Sequence, residues 1–397
     1  MTKAYDVILV GAGMVGALTA NLLAQNGFHV ALVDRTSGRC ELSTAPYYDS
    51  RVSAISRHSK SLIERAGAWQ HISQERLTPY HNMRVWDGLG TSQIDFSCDD
   101  VHLSELGHLV ENQVLNQALL TQLESHKKHL DSYFSSSVMH YQNDASGVLV
   151  TLDNGISIKA DLLIGADGAN SIIRKQAGIE TKEWDYQHNA IVATIELAAS
   201  HENTAWQSFG EEGILAFLPM PSFEGRHFAS IVWSVPPEDA ETLSQLSPDA
   251  FCQRLKYAMS NEFDVLKVLT KPLSIPLRQR HALQYVQTGL ALVGDAAHTI
   301  HPLAGQGANL GFADAGAIVD VLVKAKVRGD SLSNERVLRR YQRVRMADNM
   351  RMSASMTFFK RLYETQSPVA VLARNTGMGW LNDQRLIKNH IISLALG

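Results

Sequence analysis

A glycine-rich turn near the amino terminus has residue types and spacing that suit phosphate binding. The turn comprises Gly11, Gly13, Met14, Val15 and Gly16. In such a turn the first glycine permits a tight bend, the second lets the backbone approach a pyrophosphate, and the third lets a helix pack on a strand. The free N–H groups at the start of the following helix also attract phosphate. The pattern therefore predicts a dinucleotide site.

The next predicted strand, HVALVD at residues 29–34, ends in an acid that supports this interpretation. Asp34 follows Gly16 by 18 residues, where its carboxylate can accept hydrogen bonds from an adenosine ribose. The same charge would repel a 2′-phosphate, which disfavours NADP at this position. Arg35, beside it, is also included among the predicted cofactor-binding residues. This βαβ unit alone does not distinguish a nicotinamide from a flavin.

Two later segments favour FAD. They are residues 165–174 (GADGANSIIR), and Gly294 to His298 (GDAAH) followed by Pro302, Gly305, Gln306, Gly307 and Asn309. With the first turn they resemble, in order, the three fingerprints of the class A flavoprotein monooxygenases, the aromatic-ring hydroxylases of the para-hydroxybenzoate hydroxylase fold. The resemblance spans roughly residues 4–350 and implies non-covalently bound FAD. Open α/β sheets hold their ligands at such strand ends.

Within that class the chain is similar to the ubiquinone-biosynthesis hydroxylases. The similarity lies in residues 51–56, 110–112, 280–286 and 294–307. It implies that O2 hydroxylates the ring of a polyprenyl phenol or quinol through a flavin C4a-hydroperoxide, in a site that excludes water. Because the sequence has one GxGxxG turn, NAD(P)H is expected as a transient electron donor. The ring carbon, the prenyl length and the identity of the donor stay open.

The resemblance also implies roles for individual residues. Asp295 should accept hydrogen bonds from the ribityl chain, and Arg51 should face the phosphates or the flavin edge. Asn112 occupies the position where relatives carry Arg or Gln near the flavin. Residues 302–307 should surround the isoalloxazine, and Asp167 should brace this loop or a nicotinamide donor.

No catalytic base can be assigned from the sequence. His298 and His301 are candidates by residue type, although His298 belongs to a fingerprint whose usual role is structural. The alternative for both is a hydrogen-bonded loop histidine. Cys40, Cys98 and Cys252 lie far apart, without CxxC or Cys/His ligand spacing, so no metal site is predicted.

The elements that position these residues predict an α/β fold. A Rossmann-like FAD-binding domain is interrupted by a mostly antiparallel β-sheet substrate domain and followed by a helical C-terminal region. The predicted boundaries are 1–75, 108–182 and 281–345 for the FAD-binding domain, 76–107 and 183–280 for the substrate-binding domain, and 346–397 for the C-terminal region. The predicted substrate-domain strands are 189–198, 204–209, 213–219 and 226–235. The predicted helices are 110–123, 239–246, 248–260 and 307–326, with another in the later part of 51–66.

Large apolar side chains on the antiparallel strands are candidates for a substrate pocket. Leu215, Phe217 and Trp233 are the favoured lining residues, and packing in the core is the alternative. A polyprenyl tail would transfer into an apolar site at about 0.8 kcal/mol per buried methylene. Polar contacts would then need only to orient the ring.

Composition and charge restrict the partners. The net charge of −4 argues against nucleic acid, and no apolar run reaches the ~18 residues of a membrane span. The amino terminus runs straight into a strand pattern, so no signal peptide and a cytoplasmic location are expected. Residues 339–397 carry ten Lys and Arg against three acids, a net charge of +7. This basic region forms either a surface for the inner membrane or a biosynthetic complex, or a helical cap on the flavin domain.

Three rival functions stay open. A hydroxylase of a small soluble aromatic acid would need a cationic pocket group, for which Arg226 and Arg280 are candidates. A non-catalytic flavoprotein scaffold would bind FAD without hydroxylating any quinol. An NAD-dependent dehydrogenase would use only the first βαβ unit and would be colourless, whereas a yellow protein would exclude it.

Overall fold

Three β-sheets organise the part of the chain that the structure describes. The computed structural model describes residues 4–43, 48–88, 90, 92–299, 307–364, 375–380, 382, 384 and 387–389, with the backbone only for 355–364. The strands are β1 (Ala4–Val10), β2 (Val30–Val33), β3 (Val52–Ser56), β4 (Leu77–Tyr80), β5 (Asn82–Asp87), β6 (Gln93–Ser97), β7 (Gly107–Glu111), β8 (Leu130–Tyr133), β9 (Val138–Asp144), β10 (Gly147–Leu152), β11 (Ser157–Gly165), β12 (Thr181–Leu197), β13 (Thr204–Gly210), β14 (Gly213–Phe223), β15 (Arg226–Val235), β16 (Val265–Val268), β17 (Leu273–Ala282), β18 (Val286–Gln287), β19 (Leu290–Leu292) and β20 (His298–Thr299). The helices are α1 (Met14–Gln25), α2 (Arg57–Arg65), α3 (Asn112–Leu123), α4 (Ile172–Gln176), α5 (Pro237–Ser244), α6 (Pro248–Ala258), α7 (Gly307–Arg328) and α8 (Glu335–Glu364).

The first sheet is the predicted Rossmann-like unit. Its order is β18-β19-β11-β1-β2-β8, with β10 and β9 added antiparallel beside β11. From β19 to β8 the neighbouring strands are parallel. Every residue of β2 is buried, as expected for a parallel strand whose two faces are both covered. Helix α1 packs against both α3 and α7. The predicted strand–turn–helix–strand unit is therefore confirmed.

The second sheet is largely antiparallel, as predicted. Its order is β20-β17-β12-β15-β14-β13-β5-β6, with β16 beside β12 and with β13 and β5 parallel. The strand expected at 189–198 is longer, because β12 begins at Thr181 and pairs with β17 along its first half. Helices α5 and α6 cover one face of this sheet, where their apolar side chains join a common core.

A third, small sheet has the order β3-β7-β4, with β7 antiparallel to both of its neighbours. The predicted helix in the later part of 51–66 is confirmed as α2, and the helix predicted over 110–123 begins two residues later, at Asn112, because β7 extends to Glu111. Helix α2 starts only after Ser56, whose hydroxyl accepts a hydrogen bond from Ser59 N and thereby caps the helix.

The carboxyl-terminal helices follow the predicted order. Helix α7 begins at Gly307 and extends two residues beyond the predicted end, and α8 packs against α7 and β18. Further along, Ser92 N donates to Asn375 Oδ1 at 3.0 Å and Lys388 Nζ lies 3.0 Å from Asp100 Oδ2, so described parts of the tail contact the β5–β6 edge. Within the described residues, the helices lack the length and apolarity needed to cross a membrane. The domain boundaries stay a prediction.

Candidate active site

The three fingerprint segments leave the sheet side by side. Strands β1, β11 and β19 are parallel neighbours, with Val10 beside Gly165 and Gly165 beside Leu292. Ala166 N donates to Val10 O at 2.7 Å, and Val293 N donates to Gly165 O at 3.0 Å. Segments about 130 to 155 residues apart in the chain therefore meet at the carboxyl edge of one sheet, where open α/β folds bind ligands.

Each glycine of the first turn meets a different steric demand. Gly11 has φ +107°, and a Cβ there would lie 2.3 Å from Ala166 O. A Cβ at Gly16 would lie 1.9 Å from Gly11 O. Gly13 is exposed, and a Cβ there would have nothing within 4 Å. The first and third glycines thus permit close packing, whereas the second faces open space. No side chain caps the α1 amino terminus behind it, so its N–H groups are available to phosphate.

Met14 and Val15, the two residues between the second and third glycines, are partly buried. Both lie at the start of α1 and contact the core of the first sheet. The side chain of Val15 lies beside Gly294 and Gly311, because a Cβ at Gly311 would be 2.5 Å from it. Val15 therefore joins the first fingerprint to the third, and the backbone N–H groups of this turn are the ones free for a ligand.

Asp34 is held in place beside the glycine turn. Its Oδ2 accepts a hydrogen bond from Ala12 N at 2.6 Å, and its Oδ1 accepts from Thr36 N at 2.7 Å and Thr36 Oγ1 at 2.6 Å. The carboxylate is half-buried, whereas the adjacent Arg35 is exposed. An ionised carboxylate has about four acceptor positions, so one remains for a ribose hydroxyl.

Asp167 braces the second fingerprint. Its Oδ2 accepts hydrogen bonds from Ile172 N at 2.6 Å and Ile173 N at 3.2 Å, at the start of α4. Its Oδ1 is buried and has no hydrogen-bond partner within the described part of the chain. Arg174, also buried, donates to Ala296 O at 2.7 Å and so ties this segment to the third fingerprint. The buried Oδ1 of Asp167 is therefore a hydrogen-bond acceptor without a donor among the described residues.

Asp295 lies in a short 3₁₀ helix, Gly294–Ala296, which follows β19. Its side chain is accessible to solvent, yet the protein around it desolvates the carboxylate and raises its pKa, against the opposing charges of His298 and Arg51. An accessible group that is nevertheless surrounded by protein lies in a cleft. Gly294 has φ +60°, the left-handed conformation that glycine adopts without strain.

A buried polar network supports this turn from behind. Asp314, in α7, is fully buried and accepts hydrogen bonds from Gly294 N at 3.0 Å and Arg345 Nε at 2.8 Å. His298 Nε2 lies 2.5 Å from Oδ2, the oxygen that also accepts from Gly294 N, whereas Arg345 bonds to Oδ1. Burial alone would raise the pKa of Asp314, but His298 and Arg345 outweigh it and hold the pKa below its usual value. The carboxylate therefore links the third fingerprint to α7 and α8.

The position of His298 suits a structural role better than that of a base. It is 3% exposed, and its ring stacks on Tyr285 with centroids 5.8 Å apart. Its Nε2 is engaged with Asp314. His301, the other candidate, lies outside the described residues. A catalytic base is therefore still unassigned.

Arg51 and Asn112 lie together where the small sheet meets α3. Asn112 N donates to Arg51 O at 2.9 Å, and Asn112 Oδ1 accepts from Ser53 Oγ at 2.6 Å. The Arg51 side chain is exposed, and its charge reaches Asp295. Glu111, which precedes Asn112, is buried in a bidentate ion pair with Arg76, and both of its bonds are 2.7 Å long. Sequence reasoning missed this ion pair, which anchors the start of α3.

Asn309 joins the first turn of α7 to β3. Its Nδ2 donates to Ala54 O at 2.8 Å, and its Oδ1 accepts from Ser56 N at 3.0 Å. Gly307, the first residue of α7, has open space where a Cβ would be. Pro302, Gly305 and Gln306 lie outside the described residues. The two ends of Asn309's amide thus fix the amino end of α7 against the small sheet.

A mostly apolar cavity of about 340 Å³, including its open mouth, lies between the small sheet and the second sheet. The lining residues are Ala54, Tyr80, Met83, Leu109, Ala205, Trp206, Gln207, Ala216 and Leu218. Ala54 is the residue whose carbonyl accepts the bond from Asn309, so the cavity adjoins the first turn of α7.

The three residues predicted to line the pocket face away from this cavity. Leu215, Phe217 and Trp233 are at most 1% exposed and belong to the core beneath α5 and α6. Successive side chains of a strand point to opposite faces, so Ala216 and Leu218 line the cavity instead. The structure thus corresponds to the alternative of core packing for these three side chains.

The residues present fit a bound FAD. An uncapped helix amino terminus, open space at Gly13 and a fixed acid at Asp34 suit the adenosine diphosphate half. The accessible carboxylate of Asp295, in its cleft, suits the ribityl hydroxyls. An apolar cavity then adjoins the amino end of α7. This fold and this site define a flavoprotein with an apolar-walled cavity beside the cofactor-binding sheet.

Comparison with known proteins agrees with this class. The family model described as FAD binding domain matches residues 4–354. The chain is 37% identical over 400 residues to 3-demethoxyubiquinol 3-hydroxylase of Escherichia coli, covering 99% of this chain and 98% of that one. It is 32% identical to the mitochondrial ubiquinone biosynthesis monooxygenase COQ6 of Xenopus tropicalis, covering 98% and 93%. Among solved structures, p-nitrophenol 4-monooxygenase PnpA of Pseudomonas putida shares the fold, with a TM-score of 0.79, 17% identity and coverage of 100% and 99%.

The chain belongs to the FAD binding domain family. Within it, the chain is a flavin-dependent aromatic monooxygenase related to the ubiquinone-biosynthesis hydroxylases, as the fingerprints predicted. The predicted cofactor, FAD, and the predicted fold class are confirmed.

Proposed function

We propose that this protein hydroxylates the ring of a polyprenyl benzoquinol or phenol in ubiquinone biosynthesis, with O2 as the oxidant and NAD(P)H as the electron donor. The observation that carries the proposal is the cavity next to the first turn of α7. None of its described lining residues carries a charge, and most are apolar. Relatives that cover nearly the whole chain are named for ubiquinone biosynthesis.

The backbone and side chains at the three strand ends would hold the cofactor. The N–H groups at the start of α1 would bind the pyrophosphate, Asp34 the adenosine ribose and Asp295 the ribityl chain, while Arg51 would add a cation near the phosphates. Bound FAD would supply electrons and activate O2. The positive end of α7 favours negative charge placed against it by roughly 0.3–2 kcal/mol, depending on burial.

The protein's own contribution to the chemistry is position and exclusion of water. The cavity is walled by apolar residues of two sheets, so an aromatic ring there would displace solvent from the reacting atoms. Asn309 fixes β3, which carries Ala54, to α7, and this keeps the cavity wall and the amino end of that helix in register. We infer that an electron-rich ring needs no side-chain nucleophile at this site.

The soluble aromatic acid is a weaker alternative as substrate. Both cations that could have bound its carboxylate are already paired with glutamates. Arg226 donates to Glu196 at 2.8 Å, and Arg280 donates to Glu183 at 2.6 Å. Neither residue lines the cavity. An isolated carboxylate buried there would lack a counter-charge, which is strongly unfavourable.

Lipid analysis of cells that lack this protein tests the proposed function. We expect a ubiquinone precursor that lacks one ring oxygen to accumulate, and ubiquinone to return when the wild-type chain is supplied. The matched control is the Asp295→Ala chain, which should express but fail to restore ubiquinone because it lacks flavin. Normal ubiquinone content in the deleted strain would overturn the proposal.

We also infer that the exposed face of α8 contacts an anionic membrane surface, where a polyprenyl substrate would reside. This face carries Arg340, Arg343, Val344 and Met350, whose side chains are all exposed. Other cations of the tail are engaged within the protein, such as Arg345 with Asp314. The described part of the basic tail therefore contains both buried cations paired within the protein, such as Arg345, and exposed cations such as Arg340 and Arg343.

Flotation with phosphatidylglycerol vesicles tests this placement. The variant Arg340→Gln/Arg343→Gln should bind more weakly than wild type, because each cation near an anionic surface contributes about 1 kcal/mol. The control Lys127→Gln/Lys128→Gln removes the same charge from an exposed site elsewhere. Equal binding by both variants would contradict a specific role for α8.

A further inference from the structure

Two polar side chains in the cavity wall have no hydrogen-bond partner among the residues that the structure describes. Gln207, in β13, is 5% exposed, and Tyr80, at the end of β4, is 9% exposed. Both line the cavity, and neither the Gln207 carboxamide nor the Tyr80 hydroxyl bonds to any residue that the structure describes. Most of the other lining side chains are aliphatic. The cavity thus contains two separate polar groups on an otherwise apolar wall.

Buried polar groups without partners are uncommon, because roughly 90% of such groups in proteins are hydrogen-bonded. A few hydroxyls in this region, including those of Thr78 and Ser208, also lack partners, but they are enclosed in the protein. Tyr80 and Gln207 differ from them because both line the cavity. A ligand with oxygen substituents would satisfy both groups.

The chemistry of the two groups selects a neutral ring. A carboxamide offers both donors and an acceptor, and a phenol offers one donor and an acceptor, so both can bond to ring hydroxyl or alkoxy oxygens. Burial raises the pKa of Tyr80 to about 12, which keeps its hydroxyl protonated at neutral pH. No described lining residue carries a charge that could neutralise an anionic ring substituent.

We propose that the Tyr80 hydroxyl and the Gln207 carboxamide are the groups that orient the substrate ring, by hydrogen bonding to its oxygen substituents while the apolar wall holds its carbon face. They are positioning residues, and they take no part in bond making. The proposal rests on the proposed function, because it assumes that a quinol or phenol ring enters this cavity. It adds the identity of the two residues that would bind the oxygen substituents of the ring.

The test compares variants on two ring chemistries. Tyr80→Phe and Gln207→Met keep size and remove the hydrogen bonds, and Tyr257→Phe, whose ring is 63% exposed, is the control. With a short-chain benzoquinol, each cavity variant should lose about ten- to hundredfold in kcat/KM, the usual consequence of one buried hydrogen bond left unmade. The control should stay within about twofold of wild type, and FAD content and melting temperature should match wild type in all three.

A second substrate separates orientation from packing. On an analogue that lacks the ring hydroxyl in question, the loss caused by at least one variant should largely disappear, because there is no bond left to remove. A variant should also form product hydroxylated at more than one ring carbon. Equal losses on both substrates, or kcat/KM values within twofold of wild type on the quinol, would overturn the assignment.

A binding measurement keeps this inference distinct from the proposed function. Titration with the oxidised short-chain benzoquinone, followed by quenching of tryptophan fluorescence, reports occupancy without turnover. If wild type binds the quinone but hydroxylates no quinol, the proposed function fails, and weaker binding by the variants would still support the two residues. Unchanged affinity in both variants would reject them, whatever the activity.

Discussion

Replacing Asp314 by asparagine should destabilise the protein far more than so small a change usually does. The carboxylate is fully buried and is held by Gly294 N, His298 Nε2 and Arg345 Nε at 3.0, 2.5 and 2.8 Å. The amide would remove the buried charge partner of the Arg345 guanidinium, which is only 7% exposed, and leave it the half-exposed carboxylate of Asp348 at 3.0 Å. Breaking a buried ion pair by removing one partner costs about 3–5 kcal/mol. We expect a loss of that size in the free energy of unfolding.

The assay is urea unfolding followed by circular dichroism, with two comparison variants. Glu196→Gln breaks the ion pair with Arg226, a residue whose side chain is 41% exposed, and should cost no more than about 1 kcal/mol. Asp314→Leu/Arg345→Met removes both buried charges and should recover much of the loss. If Asp314→Asn were no more destabilising than Glu196→Gln, the network would not act as described.

The same variant has a predictable pH dependence. The pKa of Asp314 lies below its usual value of 3.8 in the folded protein, because His298 and Arg345 outweigh the effect of burial. A carboxyl whose pKa is lowered by folding contributes stability above its unfolded pKa, and this contribution is lost as the pH falls through the folded pKa. The free energy of unfolding of wild type should therefore exceed that of Asp314→Asn by its full amount at neutral pH. This difference should decrease below about pH 3.8.

Three further predictions concern the cofactor site and use flavin absorbance and FAD titration of the apoprotein. Asp295→Ala should purify largely devoid of flavin, and full occupancy would contradict its assignment. Asp34→Ala should weaken FAD binding by about ten- to hundredfold, since a hydrogen bond to a charged group is worth roughly 1.5–3 kcal/mol; unchanged affinity would remove it from the site. Gly11→Ala should fail to fold, because its Cβ would lie 2.3 Å from Ala166 O. Gly13→Ala should fold but bind FAD poorly. Equal behaviour of the two variants would refute the steric account.

Local sequence patterns predicted the flavin half of the fold well. Each fingerprint follows a short, buried, apolar strand, and parallel strands place their carboxyl ends on one edge of a sheet. The pattern therefore located the glycine turn, Asp167 and Asp295 together without any knowledge of strand order. The structure adds that Gly11 and Ala166 are in such close approach that no side chain fits between them.

The face of the pocket could not be predicted from the same kind of pattern. Strand β14 is apolar on both faces, because one packs on α5 and α6 and the other borders the cavity. The larger residues, Leu215 and Phe217, fill the core, and the smaller Ala216 leaves space. An apolar run without polar alternation contains no signal that tells these faces apart.

The network behind the third fingerprint was also beyond local reasoning. Asp314 and Arg345 belong to different helices and are 31 residues apart, so no short-range spacing relates them. The available signal was an acid within the small and apolar residues of the first half of α7, since an acid that becomes buried needs a partner of opposite charge. Gln207, to which the sequence analysis assigned no role, gave a similar signal, because it is the one amide side chain in β13.

The most direct test of the central claim is turnover of the FAD-loaded protein under ¹⁸O2, with NADH or NADPH and a short-chain demethoxybenzoquinol, followed by mass spectrometry of the quinol. We predict a product that gains one oxygen atom, with that atom derived from ¹⁸O2. Fully flavin-loaded protein that consumes the reductant yet leaves the ring unlabelled with either donor would contradict the proposal that this cavity presents a quinol ring for hydroxylation.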